Sequence, residues 1–125
     1  MNHDEFVGRV QHRAHLASRG AAETIIRATL ETLRDRIQAD SAAHVAAQLP
    51  PEIGRHLFGG HFEHLTLQDF YGRIARRENS DPEKAAFHAR CVLETVIDAI
   101  SFGAARKLEN QLPHEFKDLM AVSSK

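Results

Sequence analysis

Apolar residues recur at helical spacing along two long stretches, Ile26, Leu30, Leu33, Ile37 and then Ala89, Leu93, Val96, Ile100. A stripe with this period is one buried face of a helix, so each stretch predicts one long, buried helix. Ser18 stands before the first. Asp81-Pro82-Glu83 stands before the second, combining an N-cap acceptor, a proline suited to a first turn and an acid at the positive helix end. A shorter helix is expected ahead of each, carrying Phe6, Val10 and Ala14 in one place and Phe70 and Ile74 in the other, with Thr66-Leu67-Gln68-Asp69 as a capping box for the second. The pattern breaks at Asp40-Ser41 and at Ser101-Phe102-Gly103, after which a short alanine-rich helix follows and runs to a Gln-Leu-Pro motif. The proline then opens a terminal helix bearing Ile53, Leu57 and Phe58, or Phe116, Leu119 and Met120. No stretch has the alternation or turn signals of strands.

The pattern is written twice. Phe6-Val7-Gly8-Arg9-Val10 returns as Phe70-Tyr71-Gly72-Arg73-Ile74, Leu30-Glu31-Thr32-Leu33 as Leu93-Glu94-Thr95-Val96, and Gln48-Leu49-Pro50-x-Glu52 as Gln111-Leu112-Pro113-x-Glu115. The spacing is 64 residues at the first pair and 63 at the later ones, which places a one-residue gain or loss near Ser18 or Asp81. The expected fold is all-α: two tandem repeats of about four helices each, packed into one globular bundle with pseudo-two-fold symmetry. The expected domain spans 1–125, with repeat one at about 3–58, a linker at about 59–65, repeat two at about 66–121 and a short C-terminal tail. Neither repeat has more than one long apolar helix, so the two long helices are expected to pack on each other near the axis. The linker, Gly59-Gly60-His61-Phe62-Glu63-His64-Leu65, mixes polar and apolar residues and is expected to pack partly against the body.

This doubled pattern of Phe-x-x-x-Val or Ile, Leu-Glu-Thr-Leu and Gln-Leu-Pro-x-Glu resembles the bacterial domain of unknown function 2267 family. The likeness covers roughly Asp4 to Met120, and the Gln-Leu-Pro-x-Glu pair is its most specific part. The resemblance implies a small helical cytoplasmic protein of bacterial origin; it brings no reaction with it.

Size and charge narrow the function classes. At 125 residues the chain can bury a core without disulfides or a structural metal, and its single cysteine, Cys91, forms no intramolecular bridge. With no apolar leader or membrane span, a cytoplasmic setting away from membranes is expected. The 16 Lys and Arg against 17 Asp and Glu divide evenly, seven against seven up to Phe62 and nine against ten after it. Nucleic-acid binding therefore lacks its electrostatic footprint. Nine histidines make the net charge clearly positive near about pH 6.

Motifs with defined mechanics are missing: there is no phosphate loop, dinucleotide fingerprint or nucleophile elbow, no glutamate with histidine three residues on, and no zinc-protease signature. Histidine spacing gives the sharpest chemical candidate. His61 and His64 flank Glu63 with His56 upstream, and His12 and His15 form a second such pair, each offering two corners of a Zn, Ni or Cu site. Against this stands the simpler reading of surface histidines, because neither pair has an evident completion. Cys91 aligns with Ala28, which favours a buried, inert thiol even though His88 lies three residues before it.

Charged residues present in both copies are more informative: Arg9 and Arg73, Arg27 and Arg90, Glu31 and Glu94, Asp35 and Asp98, Glu52 and Glu115. Arg27, Glu31, Arg90 and Glu94 are a candidate inter-repeat polar cluster, with helix-surface ion pairs as the structural alternative. A turn motif accounts for the Gln-Leu-Pro-x-Glu corner. Ala42, Ala43, Ala46 and Ala47 form a small-residue helix face and a candidate interface, since its counterparts Ala105, Arg106, Glu109 and Asn110 are mostly polar; helix propensity is the competing explanation. The function expected from these features is a non-enzymatic helical interaction module with an unidentified protein partner or itself, and without a cofactor. The alternative is a small-ligand or transition-metal binder using the histidines or a cleft between the repeats.

Overall fold

The computed structural model describes residues 1–120; residue 121, the expected end of the second repeat, and the tail after it lie outside them. The described residues form seven α-helices and no strand: α1 His3–Arg13, α2 Arg19–Arg36, α3 Ala39–Ala46, α4 Pro51–Gly54, α5 Leu67–Glu78, α6 Pro82–Ala99 and α7 Phe102–Gln111. Single 3₁₀ turns follow at Arg55–Leu57 and His114–Phe116.

The caps expected at Ser18, Asp81 and Thr66 form, and Asn2 adds one that was not expected. Ser18 accepts from the Ala21 N–H at 3.1 Å and Asp81 from the Lys84 N–H at 2.9 Å, while Asn2 with Glu5 and Thr66 with Asp69 close reciprocal capping boxes on α1 and α5. These satisfy helix N–H groups that would otherwise face water without an intrahelical partner.

Two details depart from the expectation. The first long helix breaks before Asp40-Ser41: Ile37 turns extended to bury its side chain, Gln38 becomes the N-cap, and Asp40 and Ser41 lie inside α3. An acid in that first turn is favoured by the helix dipole. The terminal helices are also far shorter than expected, one turn plus a 3₁₀ turn in the first half and a 3₁₀ turn alone in the second. Neither Pro50 nor Pro113 offers a side-chain cap, and a single uncapped turn bears the full cost of helix nucleation.

Each long helix is surrounded. α2 packs on α1, α5 and α6, and α6 packs on α5, α1 and α2. All eight residues of the two apolar stripes are buried, and the covering on further sides explains why Ala28, Thr29, Thr32 and Thr95 are buried too. Phe70 of α5 and Phe116 after α7 meet edge to face at 5.4 Å, tying the C-terminal 3₁₀ turn to the core.

One close approach fixes α4. A Cβ at Gly54 would lie 2.7 Å from the Ala46 carbonyl oxygen, a backbone atom that cannot move aside. Gly54→Ala is therefore expected to cost roughly 1–3 kcal/mol by overpacking. Gly20→Ala, where a Cβ meets nothing within 4 Å, should cost nothing; urea unfolding of the two variants checks the contrast.

Candidate functional site: two arginine clamps and a docked linker

Arginine and carboxylate side chains from different helices converge at two places. In the first, Asp35 of α2, with a side chain only 6% exposed, accepts from Arg73 at 3.2 Å and Arg77 at 2.9 Å, both reaching over from α5, while Arg34 approaches at 3.7 Å. Arg77 also donates to the buried Thr32 hydroxyl at 2.9 Å, and that hydroxyl donates to the Ala28 carbonyl at 2.8 Å. In the second, Asp98 of α6 pairs with Arg13 of α1 at 2.5 Å and lies 3.9 Å from Arg9. Arg13 donates to the buried Thr95 hydroxyl at 2.9 Å, which in turn donates to the Cys91 carbonyl at 2.9 Å.

The first clamp also holds the linker. Arg73 grips both carboxylate oxygens of Glu63, and the Glu63 N–H donates to the Asp35 carbonyl at 2.7 Å. Arg34 donates to the Phe58 carbonyl and Arg36 to the Leu65 carbonyl, both at 2.9 Å. The buried Arg36 guanidinium lies 5.7 Å from the Phe62 ring and 5.6 Å from Phe116. The non-helical segment between Phe58 and Thr66 is thus docked on α2 and α5 by one main-chain hydrogen bond, two arginine side chains donating to its carbonyls, one bidentate charge pair and stacking on an arginine. The Arg73 hydrogen bond pulls the Glu63 carboxyl below the ordinary carboxylate range, and the Glu63 and Asp35 carboxylates hold Arg73 more firmly charged than a free arginine. Such an array orients and binds; its guanidinium groups neither take nor give protons at ordinary pH.

The glutamines of the Gln-Leu-Pro motifs do more than form a corner. Gln48 accepts from the Ser101 N–H at 2.6 Å, and Gln111 accepts from the Gln38 N–H at 3.3 Å while donating to Ser41. Each motif thus caps the start of a helix in the other half of the chain.

The sequence-derived candidates fare unevenly. Arg27 pairs with Glu31 at 3.1 Å, and Glu31 sits 3.9 Å from Arg77, but the described residues do not bring Arg90 and Glu94 into that group. The polar junction between the halves is built by Arg73, Arg77, Asp35 and Arg9, Arg13, Asp98 instead. Arg13 and Arg77 share the 64-residue offset of Arg9 and Arg73, so comparison at that offset was the signal that could have found them. Among the described residues no three His, Cys, Asp or Glu side chains are grouped to hold a metal ion. His61 and His64 are exposed on the linker, where His64 meets Phe62 edge to face, and His56 is half-buried after α4. The alanine face is divided: Ala42 and Ala46 are buried within the chain, and only Ala43 and Ala47 face outward. Their angular separation on α3 accounts for this, since residues four apart share a face and adjacent residues do not. Burial pushes the Cys91 thiol up, and His88 pairs with the Glu78 carboxylate at 2.5 Å.

His56 borders a depression of about 250 Å³ shared with His3, Glu23, Glu52 and Arg55. Burial, followed by the charge of Arg55, lowers its pKa below 6.5. A histidine depressed on folding contributes stability that is complete above pH 6.5 and is lost as pH falls below it, because the unfolded chain takes the proton first. The melting temperature should therefore fall between about pH 7 and about pH 5, and His56→Gln should reduce that fall. A second cleft, about 220 Å³, lies between α3 and α7 and is walled by Val45, Ala104 and Leu108.

Among the described residues no helix is long and apolar enough to cross a membrane. A family model described as "Uncharacterized conserved protein (DUF2267)" matches residues 3–119. No curated protein matches the chain.

Proposed function

The chain belongs to the DUF2267 family of uncharacterized conserved proteins, and from that premise we propose that it is a non-enzymatic interaction module of the bacterial cytoplasm that holds partner proteins by their extended segments. The docked linker carries this proposal. Its bonds to α2 and α5 use elements by which folded domains hold extended peptides: hydrogen bonds to the segment's main chain, one from backbone and two from arginine side chains, and a side-chain clamp on its acid.

The module is built, in the same proposal, from two like repeats about a pseudo-two-fold axis. Supporting this are the equal 18-residue lengths of α2 and α6, the capping boxes on α1 and α5, and the paired polar contacts. Arg77 to Thr32 and Asp35 has its counterpart in Arg13 to Thr95 and Asp98; Gln48 to Ser101 has its counterpart in Gln111 to Gln38. In each pair a residue of one repeat reaches the other, so neither repeat completes its polar contacts alone.

Native mass spectrometry of chain purified without chelator separates this proposal from the small-ligand and metal alternative. The expected species are the bare chain or its assemblies with whole protein chains. A stoichiometric mass increment equal to a metal ion or small molecule would overturn the proposal.

A further inference from the structure

We propose that the face of α1 bearing Gly8, Arg9 and His12 is a second docking site, unfilled by the linker, for an acidic residue in an extended segment of a partner protein. The inference rests on the two-repeat reading above and gives the partner's chemistry.

Two depressions carry it. One, about 560 Å³, lies beside α5, with Asp69, Gly72, Arg73 and Arg76 on one side and Glu63-His64-Leu65 of the linker on the other. The second, about 510 Å³, lies beside α1 and is lined by Glu5, Gly8, Arg9, His12 and Arg13. At the 64-residue offset, Asp69, Gly72, Arg73 and Arg76 correspond to Glu5, Gly8, Arg9 and His12. The same helix face therefore occurs twice, once walled by a docked segment and once lined by α1 alone. The arginines differ as this predicts: Arg73, holding Glu63, has a side chain 24% exposed, and Arg9 has one 48% exposed.

The occupant's chemistry is read from the filled copy. Glu63 places a carboxylate across the Arg73 fork, so the partner residue at Arg9 is Glu or Asp. Glu5 is the one acid in the lining, and it is drawn to the helix start, where its carboxylate accepts from the Asn2 N–H at 3.4 Å. No Cβ stands at Gly8, and one built there would meet nothing within 4 Å, so a main chain can approach closely. The neighbouring wall differs: Arg34 and Arg36, which hold the linker's carbonyls, correspond to Ile97 and Ala99. The partner segment is thus expected to flank its acid with apolar residues where the linker uses carbonyl contacts to arginine.

The test uses the intact chain labelled with ¹⁵N and a capped synthetic peptide Val-Gly-Val-Phe-Glu-Val-Leu, with its Glu-to-Gln form as the control. Amide shifts on titration should centre on Gly8, Arg9 and His12, with binding at least tenfold weaker for the Gln peptide and for Arg9→Gln. Arg9 also lies 3.9 Å from Asp98, so the Arg9→Gln spectrum should differ from wild type around Arg13 and Asp98 as well. Arg9→Lys, which keeps that charge while losing the fork, should bind the Glu peptide more weakly than wild type, and equal binding would overturn the fork. Shifts centred elsewhere would overturn the Arg9 site yet leave an interaction module standing. Absence of shifts up to millimolar peptide, or equal binding of the Glu and Gln peptides at Arg9, would also overturn it.

Discussion

Asp35→Ala lowers the free energy of unfolding by about 3 kcal/mol, the usual cost of removing one partner from a buried charge group. The Asp35 side chain is 6% exposed and takes Arg73 and Arg77 while lying against Arg34. Its removal leaves three guanidinium groups crowded around an empty acceptor, two of them from a helix of the other half. The same change at Asp98, whose side chain is 21% exposed, should cost about 1 kcal/mol, because water screens that cluster. Urea unfolding of both variants measures the difference; equal costs would mean that the junction near the linker holds no more of the fold than the one near α1.

Phe116→Ala has a comparably large effect, about 4 kcal/mol, the range for truncating a fully buried aromatic ring. The ring is 1% exposed, packs edge to face on Phe70 and stacks beneath the Arg36 guanidinium. Losing it opens a cavity and also removes one of the two rings on which Arg36 rests. Arg36 holds the Leu65 carbonyl, so the linker should loosen as well. Hydrogen exchange at the Glu63 amide, which donates to Asp35, should accelerate more in Phe116→Ala than global destabilisation alone produces. Unchanged relative protection at that amide would show that the linker is held independently of Phe116.

Much of the helical plan is legible in the sequence because helix formation is local. The stripes at Ile26 to Ile37 and Ala89 to Ile100 and the caps at Ser18, Asp81 and Thr66 depend on residues within one or two turns of each other; the expected breakers Asp40, Ser41, Phe102 and Gly103 lie inside α3 and α7 instead. The short terminal elements were harder to read: buried residues such as Ile53 and Phe116 look the same in sequence whether one turn or three carries them. The polar junction was legible only in part. Arg9, Arg73, Asp35 and Asp98 stood out as repeated charges, but Arg27 with Glu31 at four-residue spacing drew the assignment toward contacts within a helix. The ion pairs that join the halves run from Arg77 to Asp35 and from Arg13 to Asp98, and no local spacing encodes them. The division of the four alanines, with Ala42 and Ala46 buried and Ala43 and Ala47 exposed, was hidden for a related reason, since composition does not say which side of α3 meets Gly54. Gln48 and Gln111 satisfied a turn motif locally, which hid their reach to the opposite helix starts.

The most direct measurement of whether the molecule binds extended, acid-bearing segments of other proteins is selection from a displayed library of diverse proteome peptides against the intact chain and its Arg9→Gln variant. The intact chain is expected to enrich segments with an acidic residue between apolar neighbours and little helical periodicity, and the variant to lose this enrichment. No enrichment by the intact chain would contradict the binding of extended segments; the same segments enriched by both would contradict only the site at Arg9.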